Sequence, residues 1–159
     1  MAFIQGKYPV YQAAEDAGGA ETLAKDLPGK NAFAFLNTPW KWDEFKTVKQ
    51  HKDTLKELVR GPEEAGGSPK SILMLLRSLA KMESEAARGQ ERLVWGRWMW
   101  MAAYHLTRAA ERYDTKKAAL AKELRSIRDA FEKNEYRDLP RWGAAARWAQ
   151  LLTREKGKH

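Results

Sequence analysis

The sequence contains no cysteine, only three histidines and no apolar run long enough to cross a membrane. Without cysteine there is no disulfide framework, and the histidines at 51, 105 and 159 are too far apart in sequence to give a metal-ligand spacing. A bilayer span needs about 20 consecutive apolar residues, and Arg97 and His105 interrupt the most apolar stretch. The first ten residues lack the pattern of a signal peptide. We therefore expect a cytoplasmic protein that has no metal or other cofactor and does not bind a membrane.

The motifs of common catalytic sites are missing as well. Gly66-Gly67 precedes Ser68-Pro69 without the lysine that a phosphate-binding glycine loop requires. His105 could act as a general base, but a histidine in such a setting is more often a contact or a filler. The acidic pairs lie at expected helix starts or in loops, where capping and solvation explain them: Glu15-Asp16, Asp43-Glu44 and Glu63-Glu64. We therefore expect that the protein is not an enzyme.

Positive charge is abundant and concentrated in the second part of the chain. The formal net charge is +8, with 43% hydrophobic and 11% aromatic residues, a composition that excludes a wholly disordered protein. Residues 1–67 hold 9 Lys and Arg against 10 Asp and Glu, whereas residues 68–159 hold 20 against 11. Twelve of those 20 cations are arginines, which suit bidentate and stacking contacts with phosphates and bases. The second part of the chain is therefore the candidate for binding a polyanion, although many basic proteins bind none.

Hydrophobic periodicity predicts an all-α fold, an antiparallel bundle of about five to six helices in a single domain, residues 1–159. Residues 1–37, rich in glycine and proline, are expected to form an irregular arm, either an interaction tail or a strap over the core. Thr38 as a cap and Pro39 at the first helical position predict a long helix over 38–60, whose lysines we interpret as a solvated face. A loop over 61–67 precedes a basic helical core over 68–156. Helices are expected within that core at residues 69–88, 92–114, 116–134 and beyond 138.

The helix predicted from Arg92 to Asp114 contains the densest aromatic cluster, LVWGRWMWMAAYHL. These apolar side chains are too many to fit on one face of a surface helix. We therefore expect several neighbouring elements to enclose the helix. At 100° per residue, one side is apolar and should face inward: Trp95, Trp98, Met99, Ala102, Leu106, Ala109 and Tyr113. Cations occupy the opposite side, with two aromatic rings near them as possible stacking groups. We predict that this side binds nucleic acid through Arg97, Trp100, Tyr104, Arg108 and Arg112.

A second basic line is predicted on the helix over 69–88. Lys70, Arg77, Lys81 and Arg88 lie within about 20° of one line, opposite an apolar face of Ile72, Leu75, Leu76, Leu79, Met82 and Ala86. An ordinary solvated face mixes signs to gain i,i+4 pairs, and only Glu85 lies near this line, so the pattern favours a polyanion. Gly89 is the one residue expected to separate this helix from the next. The two helices are therefore expected to be antiparallel neighbours whose basic lines border one groove.

The order of features from Ser68 to Lys156 resembles the Csm-type small subunit of type III CRISPR effector complexes. Ala103, Tyr104 and Arg108 match the family's central motif, with Thr107 at the place where a glycine is usual. The resemblance implies an all-helical, non-catalytic subunit present in more than one copy. It also implies contacts with the backbones of guide and target RNA strands and with other subunits of the effector complex.

Three functions are compatible with these patterns. The first is a non-catalytic RNA-binding structural subunit of a ribonucleoprotein complex, which would bind without sequence preference because phosphate contacts carry no sequence information. The alternative is a DNA-binding regulator or packaging protein, although no short turn joins two short helices with a clear recognition face. The third is a helical protein whose basic surface binds an acidic partner protein.

Overall fold

The computed structural model describes residues 9–29, 31–60, 70–88, 96–115 and 117–153. These residues form α1 (Val10–Lys25), β1 (Ala32–Phe35), β2 (Thr38–Lys41), α2 (Trp42–Arg60), α3 (Ser71–Arg88), α4 (Arg97–Asp114), α5 (Ala118–Lys133) and α6 (Leu139–Leu152). The predicted helical fold with five to six helices is confirmed. Several predicted features lie outside the described residues: the loop over 61–67, the helix start at Ser68-Pro69, the helix start at Arg92, Trp95 and the side chain of Arg88.

The chain divides into two compact units, Met1–Lys49 and Gln50–His159. In the first unit, α1 packs against both strands of a β-hairpin. The predicted irregular arm is wrong over α1, because a helix continues through Gly18 and Gly19, two of the glycines on which that prediction rested. A glycine costs a helix interior only about 1 kcal/mol relative to alanine, so it weakens a helix without ending it. The prediction that the whole chain is one domain stays a prediction.

The predicted helix start at Thr38 is wrong, because a hairpin occupies that position and α2 begins at Trp42. Leu36 and Asn37 both have positive φ angles, 52° and 60°, and form the two-residue turn between the strands. This backbone shape matches the twist of a hairpin, and asparagine adopts it more readily than most residues. Pro39 lies in β2, an edge strand of this two-stranded sheet, where a residue without an N–H is tolerated.

Aromatic rings stabilise this short hairpin. Phe35 and Trp40 are buried. The Phe45 ring makes edge contacts with Phe33 and Phe35, at centroid distances of 4.7 and 5.1 Å, and the Trp42 ring stacks on Phe33 at 4.2 Å. Each such pair contributes roughly 0.5–1.5 kcal/mol beyond the area that it buries. These ring contacts therefore stabilise two strands of only four residues each next to α1.

In the second unit, α3 and α6 are antiparallel neighbours. Gly143 of α6 lies so close to α3 that a Cβ added to it would stand 2.3 Å from the Cβ of Ala80. Further along, Gln150 of α6 contacts Arg77 and Met74 of α3. Residue numbers therefore rise along α3 as they fall along α6. The small residues at the crossing let the two backbones approach and bury the leucines of α3.

Helices α4 and α5 form the second antiparallel pair. Arg125 of α5 binds Asp114 at 3.0 Å, and Arg128 donates a hydrogen bond to Thr107 at 3.3 Å. The predicted apolar face of α3 is buried at Ile72, Leu76 and Leu79 and only partly buried at Leu75, Met82 and Ala86. The largest fully buried side chains of this unit are Phe131, Leu55, Leu73, Leu76, Leu79, Leu106, Leu124, Ile127 and Leu139.

A polar cluster ties α2 to the start of α6. His51 donates a hydrogen bond to Asp138 at 2.5 Å, and Arg141 donates to the same carboxylate at 2.9 Å. The His51 ring also stacks on Trp142, with centroids 3.9 Å apart. Burial raises the pKa of Asp138, but the hydrogen bonds and positive charges of His51 and Arg141 outweigh burial and hold that pKa below its usual value. Ionised Asp138 therefore stabilises the fold.

Replacing Asp138 with asparagine should destabilise the protein at neutral pH and have a smaller effect in acid. Because the pKa of Asp138 is lower in the folded than in the unfolded chain, its contribution is complete above the unfolded pKa of about 3.9 and is lost as the pH falls through the folded pKa. Urea unfolding of the wild type and Asp138→Asn between pH 7 and pH 2.5 measures this, with exposed Asp129→Asn as the control. A free-energy difference that stays constant over this range would contradict it.

Candidate nucleic-acid interface

Helix α4 has one buried side and one exposed side. Trp98, Ala102, Leu106 and Ala110 are buried, as the periodicity predicts for the first three. The Trp98 ring lies against Gly96 at the start of the helix, so closely that a Cβ added to Gly96 would stand 2.1 Å from the ring. Gly96 itself has an extended backbone and precedes the first helical residue. Trp98 therefore contacts the residue that precedes the helix and also belongs to the buried side of the helix.

The expectation that neighbours enclose α4 on all sides is wrong. Trp100 is 58% exposed and Tyr104 is 54% exposed. With Arg97, Arg108 and Arg112, also exposed, they form a stripe along the outer side of the helix, which we call the α4 stripe. Each member lies three or four residues from the next, so neighbouring Cβ atoms are about 5–6 Å apart. The stripe thus has two adjacent aromatic rings with guanidinium groups on either side, and the structure places all five predicted α4 residues on it.

Most of the positive charge on the α4 stripe remains available to a ligand. Arg108 forms an ion pair with Glu111 at 3.1 Å, and both side chains are more than half exposed. Within the part of the chain that the structure describes, no carboxylate pairs with Arg97 or Arg112. An exposed pair such as Arg108–Glu111 contributes about 0–1 kcal/mol, so a phosphate can displace it at little cost.

The second predicted basic line, on α3, borders α6. Arg77 is partly buried and donates a hydrogen bond to Gln150 of α6. Lys81 is exposed and lies 3.6 Å from Glu85, while Lys70 is exposed in the turn before the helix. Arg88 ends α3, with its side chain outside the described residues.

A shared groove between the α3 line and the α4 stripe stays a prediction. Gly96 has an extended backbone immediately before α4, which begins at Arg97, and the predicted one-residue break at Gly89 lies outside the described residues. The two helices do contact each other. Arg77, however, is bonded to α6 rather than to α4, so the basic line of α3 is at least partly directed away from the stripe.

The two arginines Arg125 and Arg128 of α5 already form ion pairs with carboxylate groups of the protein. Arg125 is bonded to Asp114, and this bond lowers the pKa of the Asp114 carboxyl. Arg128 contacts Asp129 at 2.6 Å and Glu132 at 3.9 Å. The positive charge of these two arginines is therefore locally balanced, and they are not part of the candidate interface.

One lysine of α2, Lys52, departs from the solvated face that the sequence suggested, whereas Lys46 and Lys49 are exposed as predicted. Lys52 is only 8% exposed; its ammonium group lies 4.8 Å from the centre of the Trp148 ring and also contacts Asp53. A cation over a tryptophan face is stabilised by the ring quadrupole, by about 0.5–2 kcal/mol. Nothing in the local sequence around Lys52 indicates this, because its partner is almost 100 residues away along the chain.

Two classes of site are absent from the described ranges. No group of three or more histidine, aspartate or glutamate side chains there could hold a metal ion. None of the described helices is long and apolar enough to span a bilayer.

The comparisons with known proteins give one informative match. The chain is 32% identical, over 106 residues, to a single-strand-specific deoxyribonuclease of a subtype III-A CRISPR system, Cas10/Csm1, from Mycobacterium tuberculosis. The match includes 64% of this chain but spans only 12% of that protein's length. No family model matches the chain, and no solved structure matches it. Over part of its length, the chain is therefore similar in sequence to a type III CRISPR protein.

Proposed function

We propose that this chain is a non-catalytic RNA-binding subunit of a type III CRISPR effector complex. The observation that carries the proposal is the α4 stripe, in which two exposed aromatic rings lie between exposed arginines along one side of a well-packed helix. Arginine binds phosphate oxygens in a bidentate manner and stacks on bases, so the stripe supplies the groups that a nucleic-acid strand needs. The sequence similarity to a protein of a type III CRISPR system supports the coarser part of the proposal, association with such a complex.

In this role the chain contacts the sugar-phosphate backbone of guide and target strands, while base pairing between the strands reads the sequence. Other subunits of the complex are its protein partners, and more than one copy of the chain occupies each complex. The basic line on α3 serves as a second contact with RNA or with a neighbouring subunit. No step of chemistry is assigned to the chain.

Binding to homopolymer RNA, duplex DNA and an acidic peptide, each measured at several salt concentrations, tests the proposal. We expect the RNA to bind with an affinity that falls linearly on a log–log plot against salt, because bound cations release counterions from the strand. RNAs of unrelated sequence should agree within about tenfold, and RNA recovered after incubation should be intact. Tighter binding of duplex DNA would favour a DNA-binding protein, and binding of the peptide alone would favour a partner-binding protein.

A further inference from the structure

The two rings of the α4 stripe are largely exposed, although the Tyr104 ring also makes an edge contact with the His105 ring at a centroid distance of 5.3 Å. Trp100 and Tyr104 lie one helical turn apart, about 6 Å along the axis, and more than half of each side chain faces solvent. Large apolar side chains scattered singly on a surface are ordinary, but two adjacent aromatic rings between arginines form a patch. Arg97 lies one turn before Trp100, and Arg108 lies one turn after Tyr104.

Aromatic rings on a protein surface recognise bases that are unpaired. In a duplex both faces of each internal base are covered by neighbouring base pairs, so a surface ring can reach only phosphates, sugars or a helix end. In a single strand the base faces are accessible, and stacking of a base on an aromatic side chain stabilises the complex whatever the base, because every base has a flat face. The arginines at either end of the ring pair suit the phosphates that flank the stacked bases.

Resting on the proposed function, we infer that the α4 stripe prefers an unpaired segment of the guide or target strand to the paired duplex, and that Trp100 and Tyr104 provide this selectivity by stacking on two unpaired bases. The arginines then supply affinity for any strand, paired or unpaired. The rings supply the discrimination. A chain that binds phosphates alone would instead favour the duplex, because a duplex carries twice the charge per unit length.

Fluorescence anisotropy with a labelled 12-nucleotide RNA, alone and annealed to its complement, tests this inference. The wild type should bind the single strand at least tenfold more tightly than the duplex. Trp100→Ala combined with Tyr104→Ala should weaken single-strand binding by about tenfold to a hundredfold, the range expected for losing stacking contacts. The same variant should change duplex binding less than threefold and leave the salt dependence unaltered, because no cation is removed.

Two further variants separate stacking from a general surface effect. Trp100→Phe combined with Tyr104→Phe keeps two flat rings and should retain most of the selectivity. Tyr11→Ala removes an aromatic side chain that is 70% exposed on α1 and should have no effect. Circular dichroism of each variant checks that the helices remain intact.

The outcomes distinguish the inference from the function on which it rests. If the wild type binds no RNA in a salt-dependent manner, the proposed function is wrong and the inference is lost with it. If the wild type binds RNA but the double alanine variant binds single strands as well as before, only the inference is overturned. An equal loss for single strand and duplex would also overturn it, since the rings would then contribute no discrimination.

Discussion

Reversing the charge of Arg97 and Arg108 together should reduce the affinity for RNA by roughly a hundredfold at moderate salt. Both guanidinium groups are exposed on the α4 stripe, and a hydrogen bond to a charged phosphate contributes about 1.5–3 kcal/mol. Glutamate at each position adds repulsion. Each phosphate contact that is lost should also flatten the plot of log affinity against log salt by about 0.7–0.9 units. Anisotropy titrations at four or more salt concentrations measure both quantities.

The matched control is Arg125→Glu combined with Arg128→Glu on α5, which changes the net charge by the same amount. Those two arginines are already bonded to Asp114, Asp129 and Glu132, so their replacement removes little charge that a strand can use. Equal losses in both double variants would mean that the protein binds RNA through diffuse positive charge and that the α4 stripe is not a site. Adding Arg77→Glu to the first pair tests whether the basic line of α3 belongs to the same interface.

Truncation of Phe131 to alanine should lower the free energy of unfolding by about 3–5 kcal/mol, a large part of the roughly 5–15 kcal/mol that stabilises a domain. The ring is fully buried at the end of α5. It stacks near Tyr136 at a centroid distance of 5.9 Å and meets the edge of Trp142 at 5.8 Å, so it links α5 to the turn and helix that follow. Removing the ring leaves a cavity that this crowded junction cannot fill. Urea unfolding monitored by circular dichroism measures the change.

Leu151→Ala is the control for this truncation, because Leu151 lies on the exposed side of α6. Its replacement should change the free energy of unfolding by no more than about 0.5 kcal/mol. RNA binding by folded Phe131→Ala should equal that of the wild type, since Phe131 does not lie on the α4 stripe. A loss of less than about 1 kcal/mol for Phe131→Ala would place this residue outside the core.

The α4 stripe illustrates how far a sequence pattern can locate a site. The periodicity correctly assigned Arg97, Trp100, Tyr104, Arg108 and Arg112 to one outer side, because the angle between helical residues is fixed by the backbone alone. It could not show that both rings would stay exposed. That depends on how many neighbours pack around α4, and the aromatic content suggested more neighbours than the described structure provides.

The hairpin of the first unit shows a different limit, since the local signals there were ambiguous. Thr38-Pro39 is a common beginning of a helix, and the same pair is acceptable at the edge of a two-stranded sheet. The turn at Leu36-Asn37 and the ring contacts of Phe33 and Phe45 favour the second structure. Four-residue strands are too short for a period-two pattern to stand out.

The sequence by itself determined the helical class, the centre of the inward face of α3, and the outer position of the basic and aromatic residues of α4. All of these follow from interactions within about one helical turn, which the order of residues fixes directly. Only the tertiary structure decided that Lys52 is buried over Trp148, that Arg77 is held by Gln150, and that Asp138 is kept ionised by His51. Those partners lie 73 to 96 residues apart along the chain. Local sequence propensity does not specify which side chains so distant in sequence come into contact.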